Sequence, residues 1–525
     1  MTRPTRTLWL VVTLAGAAAA SGTAPAAGEA LYQEPFRPQF HFSPPTQWMN
    51  DPNGMVYDHG EFHLYYQYNP NSNKWGPMHW GHAISHDLLH WEHLPIALYP
   101  DRLGTIFSGS AVVDAANTTG FGTRAHPALV AMYTYHDHLG ESLGHTGYQS
   151  QGIAYSLDHG RSWTKYSGNP VLTNPAAHDF RDPKVFWHAP TRRWLAALAA
   201  GDHVAFYSSR DLKRWRHESD FGRSQGAHAG VWECPDLLAM PVHGTTLSRY
   251  LLLVSIGQGG PNGGSATQYF VGNFDGHSFV ADAAGTDLRQ SVPRWLDYGT
   301  DDYAGSTWSG GAPGDRRQLF IGWMSNWQYA ADVPTQRWRS AMTLPRELRL
   351  VDAGRGPELR SRPIAELAAL RRTAAVLGPR IIAAPFDLTR AAKTHSGLLE
   401  LDLDLDTSGV TSSELQFANE HGEHAVFRIN PVARRFELDR RASGAVEFSP
   451  AFAAVQSAPW PGSSERVRLH IYLDQSSIEV FVNDGATVFT ALVFPGTAYD
   501  SVVLRGSGRF ALHAATVYEL GSVWR

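Results

Sequence analysis

A chain of 525 residues with 12% aromatic and 18% charged side chains is too long for one ordinary core and too apolar for disorder. We therefore expect one large domain and one smaller domain. A formal net charge of −5, with no run of Lys or Arg, excludes a basic surface for nucleic acid or anionic membrane. Cys234 is the only cysteine, which excludes an intrachain disulfide and any metal site built from several cysteines.

Residues 1–27 have the order of a secretory signal peptide. Two arginines precede an apolar run from Leu8 to Ala20, and small residues lead to a predicted cleavage site near Ala26 or Ala27. The sequence therefore predicts a secreted protein, extracellular or periplasmic. No later run of about 18 apolar residues occurs, so no membrane association is predicted after cleavage.

Residues 36–350 have an all-β pattern of short alternating apolar runs, broken at intervals of about 8 to 12 residues by Gly, Pro, Asn or Asp. Within them a weak repeat of Ser or Asn, then Asp, then an aromatic residue ends at Trp91, Trp163, Trp215 and Phe279. Separations of about 50 to 70 residues are typical of propeller blades built from four antiparallel strands. The pattern predicts a five-bladed β-propeller, although such hairpins also recur by chance in β proteins.

The composition changes after the propeller. Residues 351–384 are rich in Ala, Leu and Arg with helical spacing, which predicts a short linker. Residues 385–525 return to strands without the Asp-turn-aromatic repeat, which predicts a β-sandwich. The predicted fold is therefore all-β, with a five-bladed β-propeller followed by a C-terminal β-sandwich.

Three acids share one kind of position. Asp51 in "WMNDPNG", Asp182 in "FRDPKVFW" and Glu233 in "WECPDL" each lie within two residues before a proline and before an apolar run. Proline fixes its own backbone and disfavours helix in the residue before it, so each carboxylate is predicted at a stiff strand start. Asp-Pro pairs also begin ordinary turns, but spacings of about two blades and one blade favour convergence on the propeller axis.

Crowded carboxyl groups cannot all ionise at ordinary cost, and this separates an acid from a base as glycoside chemistry requires. Glu233, in an apolar stretch, is the predicted protonated group, and Asp51 is the predicted charged nucleophile. Arg181 is predicted to hold Asp182 anionic and aimed at sugar hydroxyls. Cys234 is interpreted as a small buried apolar residue.

Sugars have apolar faces and a rim of hydroxyls, so a sugar site needs aromatic platforms and amides. The candidate platforms are Trp48, Trp75, Phe107 and Trp327, and the candidate amides are Asn50 and Gln67. Any single Trp is more often a core residue. Nearby Gly-rich turns favour a funnel rim for some of them.

These residues resemble the family-32 glycoside hydrolases, the invertase, inulinase and levanase group that acts on β-fructofuranosides. The segments "WMNDPNG", "QYNP", "FSGSAV", "FRDPKVFW", "WECPDL" and "GWMSNWQY…VPTQRWRSAMTLPREL" occur in that family's order, and "HIYLDQSSIEVFVNDG" resembles its C-terminal sandwich. The resemblance implies retention of configuration, with Asp51 as nucleophile, Glu233 as acid/base and Asp182 as transition-state stabiliser.

The resemblance also implies a fructosyl-binding set and no cofactor or catalytic metal. The positions that match this set are Trp48, Asn50, Gln67, Trp75, Phe107, Ser108, Arg181 and Trp327. The long motif is most similar to microbial exo-acting levanases and inulinases. It therefore predicts a fructan β-fructosidase that releases fructose from levan or inulin ends, with sucrose as a minor substrate. The acid spacing alone indicates a glycosidase, and the fructosyl specificity rests on the resemblance.

Several alternatives remain open from the sequence. An inverting arabinan-type hydrolase also uses two Asp and one Glu, but with carboxyls about 6.5 to 9.5 Å apart instead of about 5 to 5.5 Å. An endo-levanase, a fructosyltransferase and a non-catalytic carbohydrate-binding propeller would use similar motifs. The stretch "YHDHLGESLGH" could hold a metal, but a solvated loop is the favoured interpretation. Oligomeric state and the preference among levan, inulin and sucrose are also open.

Overall fold

The computed structural model describes residues 31–174, 177–282, 292–354, 356–462 and 464–524. The predicted signal peptide, residues 1–27, lies outside the described residues. Within the described residues the fold is nearly all-β, and its helices are α1 (His138–Ser142), α2 (Leu388–Ala392) and a 3₁₀ turn (Ala365–Leu370). None of the helices in these ranges is long and apolar enough to cross a membrane.

Five consecutive groups of antiparallel strands make up the first part of the chain, and a parallel pair of strands joins the last two groups into one sheet. The first group contains β1 (Gln47–Asp58), β2 (Glu61–Asn69), β3 (His79–Ser85) and β4 (Glu92–Leu98), and the second contains β5 (Thr105–Val113), β6 (Leu129–His136), β7 (Gln149–Ser156) and β8 (Thr164–Lys165). The third contains β9 (Phe180–His188), β10 (Arg193–Ala200), β11 (Val204–Ser209) and β12 (Trp215–Phe221).

The fourth group contains β13 (Trp232–His243), β14 (Ser248–Ile256), β15 (Ala266–Phe274) and β16 (Phe279–Ala281), with β17 (Arg294–Trp295) paired to β15. The fifth contains β18 (Tyr303–Thr307), β19 (Gln318–Met324), β22 (Arg346–Asp352) and β23 (Pro357–Pro363). Between β19 and β22, β20 (Trp338–Arg339) pairs in parallel with β1, and β21 (Ala341–Met342) pairs with β19. The chain thereby ties the last group to the first.

The first strands of the five groups form a closed cycle. β1 contacts β5, β5 contacts β9, β9 contacts β13, β13 contacts β18, and β18 contacts β1. Five antiparallel groups around one ring of inner strands fit the predicted five-bladed propeller.

The Asp-turn-aromatic repeat corresponds to one structural position. In the first four groups it forms the turn between the third and fourth strands. There Asp87, Asp158, Asp211 and Asp275 accept hydrogen bonds from backbone N–H groups of the turn. The repeat therefore marks blade hairpins, as predicted.

The segment 351–384 differs from the predicted helical linker. β23 completes the fifth group, and after the 3₁₀ turn β24 (Arg371–Leu377) and β25 (Arg380–Ile382) both pair with β36 (Phe510–Leu520). Hydrogen bonding to a partner strand outweighs the helix preference of Ala and Arg, because tertiary context overrides intrinsic propensity. The sandwich sheets consequently include strands that precede residue 385.

The remaining strands form two stacked sheets. They are β26 (Phe386–Asp387), β27 (Leu399–Asp406), β28 (Ser413–Ala418), β29 (His424–Asn430), β30 (Arg435–Ala442), β31 (Val455–Pro459), β32 (Arg466–Asp474), β33 (Ser477–Val482), β34 (Thr487–Leu492) and β35 (Ser501–Gly506). One sheet has the order β24-β36-β27-β32-β33-β34 and the other β26-β35-β28-β29-β30-β31. Alternate side chains of both sheets form one shared core, as in a β-sandwich.

A buried polar network joins the propeller to the sandwich. The Arg346 guanidinium donates to Asp297 at 3.0 Å, to Asp302 at 2.9 Å and to Glu479 of the sandwich at 2.7 Å. The ring of His41 contacts Glu479 at 2.9 Å. The propeller and the sandwich are therefore held by buried, hydrogen-bonded charged groups as well as by apolar packing.

Candidate active site

Each of the five inner strands carries a β-bulge at the equivalent place. Two residues face one on the second strand: Asn50 and Asp51 face Gln67, Phe107 and Ser108 face Thr134, Asp182 and Pro183 face Leu198, Cys234 and Pro235 face Val254, and Ala304 and Gly305 face Gly322. A bulge kinks its strand and re-aims the side chains beside it. Residues of all five groups are thereby turned toward the ring of inner strands.

The bulge, and not proline, is the feature common to these positions. Asp182 and Cys234 precede Pro183 and Pro235, yet their φ angles are +62° and +46°. Both residues avoid the right-handed helical region, as expected before proline, but their positive φ also departs from the extended backbone of a regular strand. The extra residue of a bulge requires a backbone kink, and that requirement overrides the usual preference.

The three predicted acids meet around Cys234. Its backbone N–H donates to Oδ2 of Asp182 at 3.1 Å, and its Sγ lies 3.6 Å from Oδ2 of both Asp51 and Asp182. Glu233 is the preceding residue on the same strand. The half-buried thiol thus contacts two carboxylates and is more than the apolar filler that the sequence suggested.

Asp51 is held by side chains on two strands. Its Oδ2 accepts from Ser108 Oγ at 2.7 Å, and its Oδ1 accepts from Asn50 Nδ2 at 2.9 Å. The Asn50 Oδ1 atom in turn accepts from Trp48 Nε1 at 2.8 Å. Burial raises the pKa of Asp51, the Ser108 bond opposes the rise, and the charge on Glu233 adds to it.

Asp182 and Arg181 are arranged differently from the prediction. The Arg181 guanidinium donates to Glu233 Oε1 at 3.0 Å and also pairs with Asp179, whereas its Nε lies 3.9 Å from Oδ2 of Asp182. Burial raises the pKa of Asp182 to about 7, and although Arg181 opposes this, the charges of Glu233 and Asp51 reinforce it. Arg181 therefore does not keep Asp182 at an ordinary carboxyl pKa.

The predicted aromatic residues form two walls beside the acids. Trp48 is fully buried and stacks with Trp327 at 6.0 Å between ring centroids. Trp75 meets Phe107 edge to face at 5.7 Å. Trp75 and Trp327 are 40% and 37% exposed, so these two can present a ring face to a ligand.

Gln67 lies across the bulge from Asn50 and Asp51. It is buried, and its Nε2 has no hydrogen-bond partner among the described residues. A buried amide donor without a partner is costly, and a ligand hydroxyl would satisfy it. The structure therefore brings together all of the predicted site residues, although Trp48, Asn50 and Gln67 lie behind the surface.

The comparisons with known proteins agree with this geometry. The family model "Glycosyl hydrolases family 32 N-terminal domain" matches residues 41–363, and "Glycosyl hydrolases family 32 C terminal" matches residues 366–520. The chain belongs to glycosyl hydrolase family 32.

Relatives with established names cover nearly the whole chain. A levanase of Bacillus subtilis (strain 168) is 45% identical over 510 residues, covering 96% of this chain and 73% of the relative. An extracellular exo-inulinase of Aspergillus awamori is 38% identical over 519 residues, covering 94% of this chain and 96% of the relative.

Solved structures of family-32 enzymes share the fold. The crystal structure of exo-inulinase from Aspergillus awamori superposes with a TM-score of 0.85 at 36% identity, covering 94% of this chain and 100% of that one. A β-fructofuranosidase from Schwanniomyces occidentalis complexed with fructosyl-erythritol has a TM-score of 0.81 at 31% identity, with 94% and 99% covered.

Two residues of this family-32 site were missed by the sequence reasoning. The Tyr303 hydroxyl hydrogen-bonds Oε2 of Glu233, and Tyr303 begins the inner strand of the fifth group. Below the acids, Lys184 Nζ donates to Asp236 at 2.9 Å and to the Thr307 carbonyl at 2.6 Å. No local sequence signal marks them, because their common feature is a place on an inner strand within three residues of a bulge.

Proposed function

We propose that this family-32 hydrolase is a fructan β-fructosidase that releases fructose from the ends of levan or inulin chains, with sucrose as a minor substrate. The observation that carries the proposal is the cluster of Asp51, Asp182 and Glu233 around Cys234. Burial raises the pKa values of Asp51 and Asp182, and acids that crowd one site in this way have the properties of catalytic carboxyls. The names of the relatives support the substrate class.

The proposed chemistry is a double displacement. Asp51 attacks the anomeric carbon of a terminal fructosyl unit while the Glu233 carboxyl gives its proton to the departing glycosidic oxygen. A covalent fructosyl–Asp51 ester results, and the shortened chain leaves as an alcohol. Glu233 then removes a proton from water, which attacks the same carbon and releases fructose and free Asp51.

The neighbouring groups have proposed supporting roles. Ser108 and Asn50 donate to Asp51, which keeps its lone pairs oriented and stabilises the carboxylate when it departs. Asp182 and Arg181 grip ring hydroxyls as positive charge develops on the sugar. Trp75 and Trp327 offer ring faces to the sugar, and Gln67 offers an amide donor.

The proposed enzyme is exported from the cell that makes it. The signal-like pattern of residues 1–27 and the extracellular names of several relatives both support a protein that acts outside the cytoplasm. A polymeric substrate that cannot cross a membrane fits this location.

Early products from levan, inulin and sucrose, separated by chromatography, test the proposal. Fructose as the only product from both polymers is the expected result. A ladder of oligomers would instead show that the enzyme attacks within the chain. Longer oligosaccharides at high sucrose would indicate a transferase. Absence of any product would favour a carbohydrate-binding propeller. Asp51→Asn is the matched control, because it preserves shape and should abolish product formation.

A further inference from the structure

Asp179 is an acidic side chain beside the active site that the double displacement does not use. It lies directly before β9, and its Oδ1 atom accepts from Nη1 of Arg181. Two other nitrogens of the same guanidinium, Nε and Nη2, donate to Oε1 of Glu233 at 3.3 and 3.0 Å. One cation therefore bridges Asp179 and the proposed acid/base.

The residue between Asp179 and Arg181 holds this bridge in place. Phe180 is fully buried, its N–H donates to Gln149 Oε1 at 2.7 Å, and its carbonyl accepts from Gln151 Nε2 at 2.8 Å. In an extended chain, side chains two residues apart lie on the same side. The pairing of Asp179 with Arg181 is therefore built into the start of β9 and its contacts with β7.

Glu233 has to carry a proton before it can give one to the departing oxygen. Its Oε1 atom accepts from Arg181, and its Oε2 atom accepts from the Tyr303 hydroxyl. Hydrogen-bond donors and an adjacent cation favour the charged carboxylate, which is the wrong form for a general acid. An anion that shares the cation opposes this effect, and Asp179 is placed to do so.

The other two acids next to Glu233 have tasks of their own. Repulsion from the charge of Glu233 contributes to the raised pKa values of Asp51 and Asp182, in which burial is the larger cause. Both act as anions in the double displacement, so their charges are used for attack and for stabilising the transition state. The charge of Asp179 has no such task, and it can therefore set the balance between the cation and the proton of Glu233.

Five further titratable groups lie near the two ends of the bridge. They are Cys234, Tyr303, Tyr148, His136 and Glu141. Burial raises the pKa values of the thiol and of both phenols, and it lowers the pKa of His136 to about 4, so these four are uncharged at neutral pH. Glu141 hydrogen-bonds His136 and, within the described part of the chain, makes no hydrogen bond to Arg181. None of the five replaces the charge of Asp179.

We propose that Asp179 is a positioning residue that holds one edge of the Arg181 guanidinium, limits the pairing of this cation with Glu233 and so lets Glu233 carry the proton that it donates. The inference rests on the proposed role of Glu233 as the acid/base of the hydrolase. It adds a residue that sets the pH range over which this acid works.

The test is the pH dependence of kcat/KM for levan in Asp179→Asn, which removes the charge but can still accept the Arg181 hydrogen bond. The alkaline limb of this profile reports loss of the proton from the general acid of the free enzyme. Without the charge of Asp179 the whole cation acts on Glu233, so the alkaline limb should move to lower pH by about 0.5 to 1 unit. Below that limb kcat/KM should stay within about twofold of the wild type, because the acid is protonated in both proteins.

Three variants complete the measurement. Asp179→Ser, which is also uncharged, should move the limb in the same direction, and Asp179→Glu should place it nearer to that of the wild type. Asp282→Asn removes the same charge from a pair with Arg249 at 3.0 Å. Arg249 pairs with Met240, seven residues beyond Glu233 on β13 and roughly 20 Å away along the strand, so this variant should match the wild type. Thermal unfolding of each variant checks that the fold is intact.

The position of the limb distinguishes this role from a structural one. A loss of kcat/KM that is equal at every pH, an alkaline limb that stays in place or moves to higher pH in both uncharged variants, or the same shift in Asp282→Asn would overturn the inference. These outcomes would leave the proposed function intact. A wild type without activity on fructans or sucrose would overturn the proposed function and this inference with it.

Discussion

Two clusters of buried carboxylates in this protein are held in different ways. At the interface between propeller and sandwich, Asp297, Asp301 and Glu479 accept from backbone N–H groups as well as from arginine side chains. At the active site, Asp51 and Glu233 accept from hydroxyl, amide and guanidinium side chains, whereas Asp182 accepts the backbone N–H of Cys234. Backbone donors are fixed, whereas side-chain donors can turn to a sugar hydroxyl when substrate binds.

The balance of charge differs as well. At the interface Arg346, Arg440 and His41 lie among the carboxylates and are themselves fully buried. At the active site Arg181 is shared between Glu233 and Asp179. The three interface cations are shared among five enclosed carboxylates, and this network stabilises one arrangement of the two domains. A raised pKa does not separate the two clusters, because burial also raises the pKa of Asp302 at the interface to about 8. The active-site acids differ in that Asp51 and Glu233 are only partly buried.

The largest expected effect separates catalysis from stability. Glu233→Gln keeps the shape of the side chain but removes the proton donor, so kcat on fructan should fall by about 10²- to 10⁴-fold. The melting temperature should not fall, because the interface is untouched. Steady-state kinetics and thermal unfolding of the same preparation measure both. If the variant loses stability but keeps its kcat, Glu233 stabilises the fold and is not a catalytic residue.

The converse change should affect stability alone. Arg346→Met leaves buried carboxylates without their cation, so the free energy of unfolding should fall by about 3 to 5 kcal/mol. Arg349→Met, at a partly exposed pair with Glu347, should cost no more than about 1 kcal/mol. Denaturant unfolding of both variants gives the comparison. Equal losses would mean that the buried network does not stabilise the domain interface.

His41 makes the interface sensitive to pH. Burial alone lowers the pKa of His41, but hydrogen bonds to Asp474 and Glu479 more than offset this and raise the pKa to about 9. Because the folded pKa exceeds the unfolded value, the stabilisation is complete below pH about 6.5 and is lost as pH rises through about 9. The free energy of unfolding should fall by about 3 kcal/mol across that window.

His41→Gln is the matched variant for this pH dependence. It retains a polar side chain but has no group that titrates between pH about 6.5 and 9. Across the window the free energy of unfolding of this variant should therefore fall by about 3 kcal/mol less than that of the wild type. The remaining slope comes from other groups such as Asp302, whose pKa burial raises to about 8. A slope as steep as that of the wild type would assign the pH dependence to another group.

The smallest expected effect concerns the hydrogen bond between Tyr303 and Glu233. Tyr303→Phe removes the hydroxyl that bonds Glu233, and one hydrogen bond to a charged group corresponds to about a tenfold loss in kcat/KM. Tyr99→Phe, at a residue that is 55% exposed, should leave kcat/KM unchanged. If Tyr303→Phe is also silent, the hydroxyl contact makes no contribution to turnover.

Local signals in the sequence predicted the strands and the three acids. Asp87 and its counterparts mark hairpins through bonds within a few residues, and short motifs carry Asp51, Asp182 and Glu233. The bulges could not be predicted, because a bulge is a property of two paired strands. Arg181 illustrates the same limit, since its sequence neighbour is Asp182 but its closer spatial partner is Glu233, 52 residues away.

Segment 351–384 was mispredicted as a helical linker, and Tyr303 was missed as a site residue. The reason is similar in both cases. β24 is a strand because β36, far along the chain, supplies its hydrogen bonds, whereas its composition alone favours a helix. Tyr303 reaches Glu233 from 70 residues away, and nothing adjacent to it in sequence marks that contact. Both features depend on contacts between residues far apart in the chain, which a local sequence pattern does not show.

Proton NMR of the first fructose released from a fructan most directly tests the central claim that Asp51 and Glu233 perform a double displacement. Two successive displacements at the anomeric carbon restore the original configuration. The β-anomer should therefore appear first and then equilibrate in solution. Initial release of the α-anomer would contradict a covalent intermediate on Asp51 and would require direct attack by water.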